Sequence, residues 1–228
     1  MTFTPVPAAL GRFRLAGAPP RGTPARLAAF WRGAVAGFFP GAPAFHGHDG
    51  DRLLYRYPPV HYRWADGAPE LLALGPSART VMDHPWPGTA LRLGADTHTV
   101  AEVVWRTSVL ALAPADRLVR YTFGAPWLAL NQENHARYRG MSPGARRAEL
   151  DRILVGNLLA LCKGMEWFLP EGSTLFAAAE PRGEVDCEHK GTALTGFEGE
   201  FVCNLELPDA LAVGRAVSHG YGWFRRVG

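Results

Sequence analysis

RLLYRYPPVHYRWADGAPELLALG, residues 52–75, sets two apolar, β-prone runs around the turn ADGAPE. Asp-Gly between such runs is a strong short-range hairpin signal. Upstream, the alternation of Phe13 and Leu15 marks a short strand and PPRGTP breaks it. ARLAAFWRGAVAGFF then repeats apolar side chains at Leu27, Phe30, Trp31 and Val35, the spacing of one helix face. Downstream, TVAEVVWRTSVLAL reads as another strand. Strand, helix, hairpin and strand is the order of a split βαβ, ferredoxin-like unit.

The second half runs through similar events from about residue 115. RLVRYTF is a strand, and PGARRAELDRILVGNLLALCKG is a long helix whose apolar face carries Leu150, Ile153, Leu154, Leu158 and Leu161, with Gly164 at its end. Ser142 followed by Pro143 is the expected start of that helix. GEVDCEHKG and GEFVCNLELP alternate with period two around a central TGFEG, which predicts a long hairpin with Phe201, Cys203, Leu205 and Leu207 on one face. A short helix from Pro208 and a last strand, YGWFRRV, complete the order. The expected fold is α+β: two tandem ferredoxin-like (RRM-like) βαββαβ modules, residues 1–114 and 115–228, the second with a C-terminal glycine-rich loop.

Composition narrows the class. Apolar residues are 47% and charged residues 20% of 228, and no apolar run approaches the roughly 18 residues of a membrane span. No secretory signal is visible at the N-terminus, so a cytoplasmic location and no membrane partner are expected. Cys162, Cys187 and Cys203 form no CxxC pair and read as small buried hydrophobes. The net charge is only +3, but the first 48 residues hold Arg12, Arg14, Arg21, Arg26 and Arg32 and no acid, and Arg215, Arg225 and Arg226 stand in an acid-free tail. A fold bringing these together would own a basic face suited to a polyanion; chance fluctuation along the chain is the plain alternative.

Two segments carry the chemistry. FHGHDGD, residues 45–51, offers His46, His48, Asp49 and Asp51. Two imidazoles and a carboxylate are a reasonable metal set, but neighbouring residues rarely close a coordination sphere alone, so proton transfer is preferred to metal binding and a polar turn is the bland reading. Residues two apart in an extended segment project to one side, which would aim His46 and His48 together unless a bend separates them. The second segment, GRAVSHGYGWFRR, places Gly214, Gly220 and Gly222 beside Arg215, His219 and Arg225. Such a loop can present backbone N–H groups to a phosphodiester, although three close glycines also occur in ordinary tight connections. Tyr57, His61 and Tyr62 read as structural or base-stacking. His84, His98, His135 and His189 read as surface or satisfied core histidines, and Trp127, Trp167 and Trp223 as core. Asn131, Gln132 and Asn134 read as capping or turn residues, with hydrogen bonding to bases as the other use.

Three stretches in register resemble one family. FHGHDGDRLLYRYPPVHYRW is similar to the histidine segment and Tyr-Pro strand of the repeat-processing endoribonucleases of CRISPR systems, the Cas-six type of the RAMP superfamily. WLALNQENHARYRG with the helix AELDRILVGNLLALCKGM resembles the opening of that family's C-terminal module, and GFEGEFVCNLELPDALAVGRAVSHGYGWFRR its closing hairpin and glycine-rich loop. The match looks closest to the branch with a His-x-His pair. The resemblance implies a metal-independent endoribonuclease without cofactor that binds CRISPR precursor RNA and cuts within the repeat, by 2′-hydroxyl attack leaving a 2′,3′-cyclic phosphate. It implies His48 as general acid or base, His46 in reserve and Tyr55 orienting the phosphate. Arg52 and Arg56 are the cations closest in sequence to the chemistry, and Gly214, Arg215, His219, Gly220, Gly222 and Arg225 are expected to bind RNA. The alternative is a non-cleaving RNA-binding subunit of a CRISPR complex, and other effector subunits are candidate partners. Where relatives use lysines, this chain has only Lys163 and Lys190, which leaves arginine to supply the charge.

Overall fold

The computed structural model describes residues 5–49, 52–53 and 57–228. Two compact units emerge. One comprises Pro5–Leu110 with Ser218–Gly220; the other comprises Ala111–Val217 and Tyr221–Gly228.

In the first unit the elements are β1 (Val6–Leu15), α1 (Pro24–Ala36), the one-turn α2 (Pro43–His46), the two-residue strands β2 (His48–Asp49) and β3 (Arg52–Leu53), β4 (Val60–Ala65), β5 (Ala68–Leu74), α3 (Pro76–Met82), β6 (Ala90–Leu93) and β7 (Asp96–Leu110). The main sheet runs β4-β5-β1-β7-β6 and is antiparallel throughout. Without the added edge strand β6, this is the ferredoxin-like order, in which β1 and β4 run parallel with β5 between them. The hairpin at residues 52–75 resolves into β4 and β5, paired from Val60↔Ala73 to Ala65↔Ala68, with Asp66 and Gly67 both at positive φ in the turn. Thr23 caps α1 and Pro24 follows it, so the helix starts where the chain can supply a side-chain acceptor and a fixed φ. Its face bearing Leu27, Ala28, Trp31 and Val35 is buried. Phe13 meets Trp31 and Trp86 edge-on at 4.7 and 5.1 Å. Both indoles are satisfied in the interior: Trp31 donates to the Glu70 carbonyl at 2.9 Å and Trp86 to that of Val81 at 2.6 Å.

The second unit holds β8 (Ala113–Phe123), α4 (Gln132–Arg139), α5 (Pro143–Gly164), β9 (Ala177–His189), β10 (Thr192–Glu206), a 3₁₀ turn (Val217–His219, of which only Val217 falls in this unit) and β11 (Phe224–Arg226). Its sheet order, β11-β8-β10-β9, is again ferredoxin-like. The α5 helix begins and ends where the pattern predicts: the Ser142 hydroxyl accepts from the Ala145 amide, and Leu150, Ile153, Leu154, Leu158 and Leu161 are all buried. Each such side chain contributes about 1.5–3 kcal/mol of transfer free energy. Phe201, Cys203, Leu205 and Leu207 are buried as a set. The Tyr121 hydroxyl donates to the Leu205 carbonyl at 2.9 Å and accepts the Leu207 amide at 2.7 Å, pinning that end of β10 to β8.

Two local expectations are corrected. The hairpin tip is Lys190–Gly191, both at positive φ, and TGFEG lies inside β10. No helix starts at Pro208: the amide of Ala210 donates to Phe224, that of Val213 to Gly222 and that of Arg215 to Leu128, so the segment's donors go to other strands and loops rather than four residues back. The second helix of the module is thereby reduced to an irregular connection and the 3₁₀ turn. Among the described residues no helix is long and apolar enough to cross a membrane.

Candidate functional site

The histidine segment is built on α2. Pro43 opens the helix, and Gly47 closes it in the left-handed region (φ 75°, ψ 10°), its amide returning to the Pro43 carbonyl at 2.9 Å. His46 is therefore the last helical residue and His48 the first of β2, with a left-handed glycine between them. This is the bend that separates the two: the same-side argument for an extended His-Gly-His does not hold here. His46 Nε2 lies 3.0 Å from the Phe39 carbonyl, a contact in which Nε2 carries the proton and donates. His48 and Arg52 are placed by their backbone, in β2 and β3, with His48 opposite Leu53 and Asp49 opposite Arg52. Tyr55, Arg56 and Asp51 lie outside the described residues.

Two donors, one buried and one half-buried, fix the C-terminal end of α2. The Tyr62 hydroxyl donates to the Phe45 carbonyl at 3.2 Å, and Arg32 Nη2 donates to the His46 carbonyl at 2.7 Å. Tyr62 is fully buried, which pushes its phenol well above the ordinary range and keeps it a neutral donor. Burial also lowers the Arg32 guanidinium, partly offset by Tyr62; arginine starts so high that it stays charged. Its Nε is buried without a hydrogen-bond partner among the described residues. Phe39 stacks on Phe45 with ring centroids 4.1 Å apart, and the His84 ring stands 5.5 Å from that of Phe39. In the sequence Arg32 stands out only as one of five arginines in an acid-free stretch. Its signal was helical spacing: Arg32 falls four residues from both Ala28 and Ala36, which are buried.

The other aromatic and basic residues of the segment divide clearly. His61 is 2% exposed, its Nε2 is 2.9 Å from the Pro58 carbonyl, and burial, with Arg63 nearby, pulls its pKa down to about 3. It is a neutral core imidazole, as Tyr62 is a core phenol, so the base-stacking option closes for both. Arg63, also buried, pairs with Glu70 at 3.0 Å, and Glu70 takes a second cation, Arg12, at 2.8 Å. Arg14 pairs with Glu102 at 3.1 Å, and Arg226 with Glu206. Three of the arginines that stand without acids in sequence, Arg12, Arg14 and Arg226, thus meet acids from distant parts of the chain. No group of three or more His, Cys, Asp or Glu side chains is arranged to hold a metal ion among the described residues. Burial raises the Cys162 and Cys203 thiols to about 12 and 11, so neither is a thiolate.

In the glycine-rich loop Gly214, Gly220 and Gly222 all have positive φ, 96°, 88° and 64°. Each is pressed against protein. A Cβ at Gly214 would stand 2.6 Å from the Trp127 ring, one at Gly220 2.9 Å from Ala28 Cβ and Tyr62 O, and one at Gly222 2.0 Å from Val213 O. The Gly222 amide donates to the Pro126 carbonyl at 3.0 Å. These glycines serve close internal packing, and Gly222 has no N–H left to offer a phosphate. His219 Nδ1 is 3.1 Å from the Ser218 hydroxyl oxygen. Arg215 and Arg225 are exposed.

Comparison with known proteins agrees with this architecture. The Cas6b N-terminal domain family matches residues 19–107 and the Cas6b C-terminal domain family residues 113–227. An uncharacterized protein of Methanocaldococcus jannaschii is 31% identical over 137 residues, 60% of this chain and 92% of the relative. A crystal structure of Cas6b superposes with a TM-score of 0.87 at 24% identity, covering 98% of this chain and all of that one. A second, described as the CRISPR RNA processing endoribonuclease Cas6b, gives 0.72 at 23% identity, covering 97% of this chain and all of that one. With both of its halves matched in order by the two domains of one family, the chain belongs to the Cas6b family.

Proposed function

We propose that this chain is a CRISPR RNA processing endoribonuclease that cuts within the repeat of the precursor without a metal. The observation that carries the reading is the α2–Gly47–β2 turn: a family member holds a His-Gly-His segment at a helix end anchored by Arg32 and Tyr62. The solved relative described as a CRISPR RNA processing endoribonuclease shares the fold over the whole chain.

In the proposed reaction the 2′-hydroxyl of the nucleotide before the cut attacks the adjacent phosphorus in line. A base removes the hydroxyl proton, the P–O5′ bond breaks, and an acid protonates the departing 5′-oxygen, leaving a 2′,3′-cyclic phosphate and a 5′-hydroxyl. No redox change or external reactant is needed. His48 is assigned a proton-transfer role because an imidazole near its ordinary pKa of about 6.5 serves either direction at neutral pH. His46 is the lesser candidate, since its Nε2 already binds the Phe39 carbonyl. Tyr55 is assigned to the phosphate, and Arg52 and Arg56 to the charge that builds on the phosphorane. Arg32 positions the segment from behind.

The test is cleavage of a cognate repeat RNA in EDTA by wild type, His48→Ala, His46→Ala and the double variant. Loss of at least about a hundredfold in rate for His48→Ala is expected, within the usual contribution of one general acid or base. A double variant that cuts at the wild-type rate removes the histidine segment from the chemistry.

A further inference from the structure

An aromatic patch borders the histidine segment of the first unit. Phe38 and Phe39, just after α1, and His84, just after α3, are each half-buried over a floor formed by the buried rings of Trp86 and Phe45. His84 is central: its ring lies 4.4 Å from that of Trp86, 5.1 Å from Phe38 and 5.5 Å from Phe39. Phe39 in turn stacks on Phe45 at 4.1 Å, and its carbonyl accepts His46 Nε2–H at 3.0 Å. The patch is therefore tied to the end of α2, two residues before His48.

Backbone bonds hold it in shape. The Phe38 and Phe39 amides donate to Val35 and Ala36 at 3.0 and 3.1 Å, and the Trp86 amide donates to the His84 carbonyl at 2.9 Å. Pro85 and Pro87 fix the chain on either side of Trp86, whose indole donates to the Val81 carbonyl at 2.6 Å.

His84 is neither a plain surface histidine nor a satisfied core one. His46, His61, His135 and His219 each make a ring hydrogen bond within the protein. Neither ring nitrogen of His84 has such a partner among the described residues, and neither is sealed from solvent, as Nε2 of His98 is. A phenylalanine would fill the same cage without the cost of desolvating an imidazole. Burial lowers the pKa of His84, so at neutral pH the ring is uncharged and carries one N–H donor and one acceptor. The adjacent carboxylate, Asp83, is paired with Arg79 at 3.4 Å. An uncharged patch of rings with one donor and one acceptor at its edge suits a flat heteroaromatic group, and single-stranded RNA offers such groups in its bases.

We infer that this patch seats the base of one of the two nucleotides flanking the cut, stacked against Phe38 and Phe39 and hydrogen-bonded by the edge of His84, which helps to decide which nucleotide is accepted there. The subsite rests on the RNA-processing reading above. Its role is recognition rather than proton transfer.

The test pairs protein variants with altered RNA. A repeat RNA made uncleavable by a 2′-deoxynucleotide before the cut is prepared intact and with an abasic site at each flanking position in turn, and its affinity is measured for wild type, His84→Ala and His84→Phe. His84→Ala is expected to bind the intact RNA about tenfold more weakly, within the worth of one stacked base. It is expected to bind one of the two abasic RNAs as wild type does, because the contact is already missing there. His84→Phe keeps the ring without its nitrogens, and should retain most of the affinity while losing discrimination among the four bases at that position. Equal weakening of the intact and both abasic RNAs by His84→Ala, or no weakening of any, overturns the subsite while the nuclease reading stands. If wild type neither binds nor cuts the repeat, the two fall together. A thermal midpoint of His84→Phe matching wild type establishes an intact cage; should His84→Ala fail to fold, base discrimination by His84→Phe decides, and wild-type discrimination overturns the subsite.

Discussion

At the scale of single residues, Arg32 and His61 show how position overrides type. Both are basic side chains, one half-buried and the other fully buried: the first becomes a clamp and the second a neutral core ring. Because Arg32 touches the backbone of His46 rather than a substrate, Arg32→Met is expected to lower single-turnover cleavage about tenfold while RNA affinity changes less than twofold. Arg32→Lys, which restores one donor, should recover part of the rate. Equal loss of rate and affinity in both variants would point to general unfolding instead. For His61 the sign follows from its depressed pKa of about 3: the unfolded chain takes up the proton near pH 6.5 and the native state does not, so stability falls as pH drops below about 6.5. Between pH 7 and 5 this one group costs about 2 kcal/mol. Urea unfolding of His61→Gln should show a pH dependence flatter by about that amount, and an unchanged dependence would mean that His61 is protonated in the native state. The sequence displayed all these side chains, but burial and ion pairing depend on strands far apart in the chain. The acid-free N-terminal stretch became Arg12–Glu70 and Arg14–Glu102 only on folding.

At the scale of elements, what was legible followed periodicity. The apolar stripe of α5, with its Ser-Pro start and glycine stop, and the Asp-Gly turn between β4 and β5 could be read directly because local signals agree with tertiary burial. Glycine misled where it had another purpose. In TGFEG, Gly196 admits close approach of Cys187 and Pro126, and Gly199, at φ 132° beside a register shift, sits against the Glu180 carbonyl. These mark a close contact and a bulge, which in sequence look like a turn. The seven-residue α3 and the four-residue β6 are too short to carry a period and were not foreseen. The glycine-rich loop makes its own prediction. Gly222 has φ 64°, and a Cβ there would collide with the Val213 carbonyl at 2.0 Å, so Gly222→Ala is expected to cost more than about 2 kcal/mol of stability. A drop in thermal midpoint of several degrees checks this. A midpoint equal to wild type would show that the loop relaxes freely.

At the scale of the whole molecule, two ferredoxin-like units, each with its own aromatic core, give a chain whose candidate chemistry lies on the first. The fold could be anticipated because the same strand–helix–hairpin order recurs in both halves. The site could be anticipated only through its resemblance to a family, since His-Gly-His by spacing alone fits metal binding, proton transfer or a polar turn. Everything proposed for this chain turns on the chemistry of that segment. It is tested most directly by incubating the protein in EDTA with two repeat RNAs, identical except for a 2′-deoxynucleotide before the cut, and analysing the product ends. The proposed chemistry yields a 2′,3′-cyclic phosphate and a 5′-hydroxyl from the unmodified RNA and no cut at that position in the deoxy RNA. Cleavage of the deoxy RNA, or a 5′-phosphate product that appears only when metal is added, would contradict it.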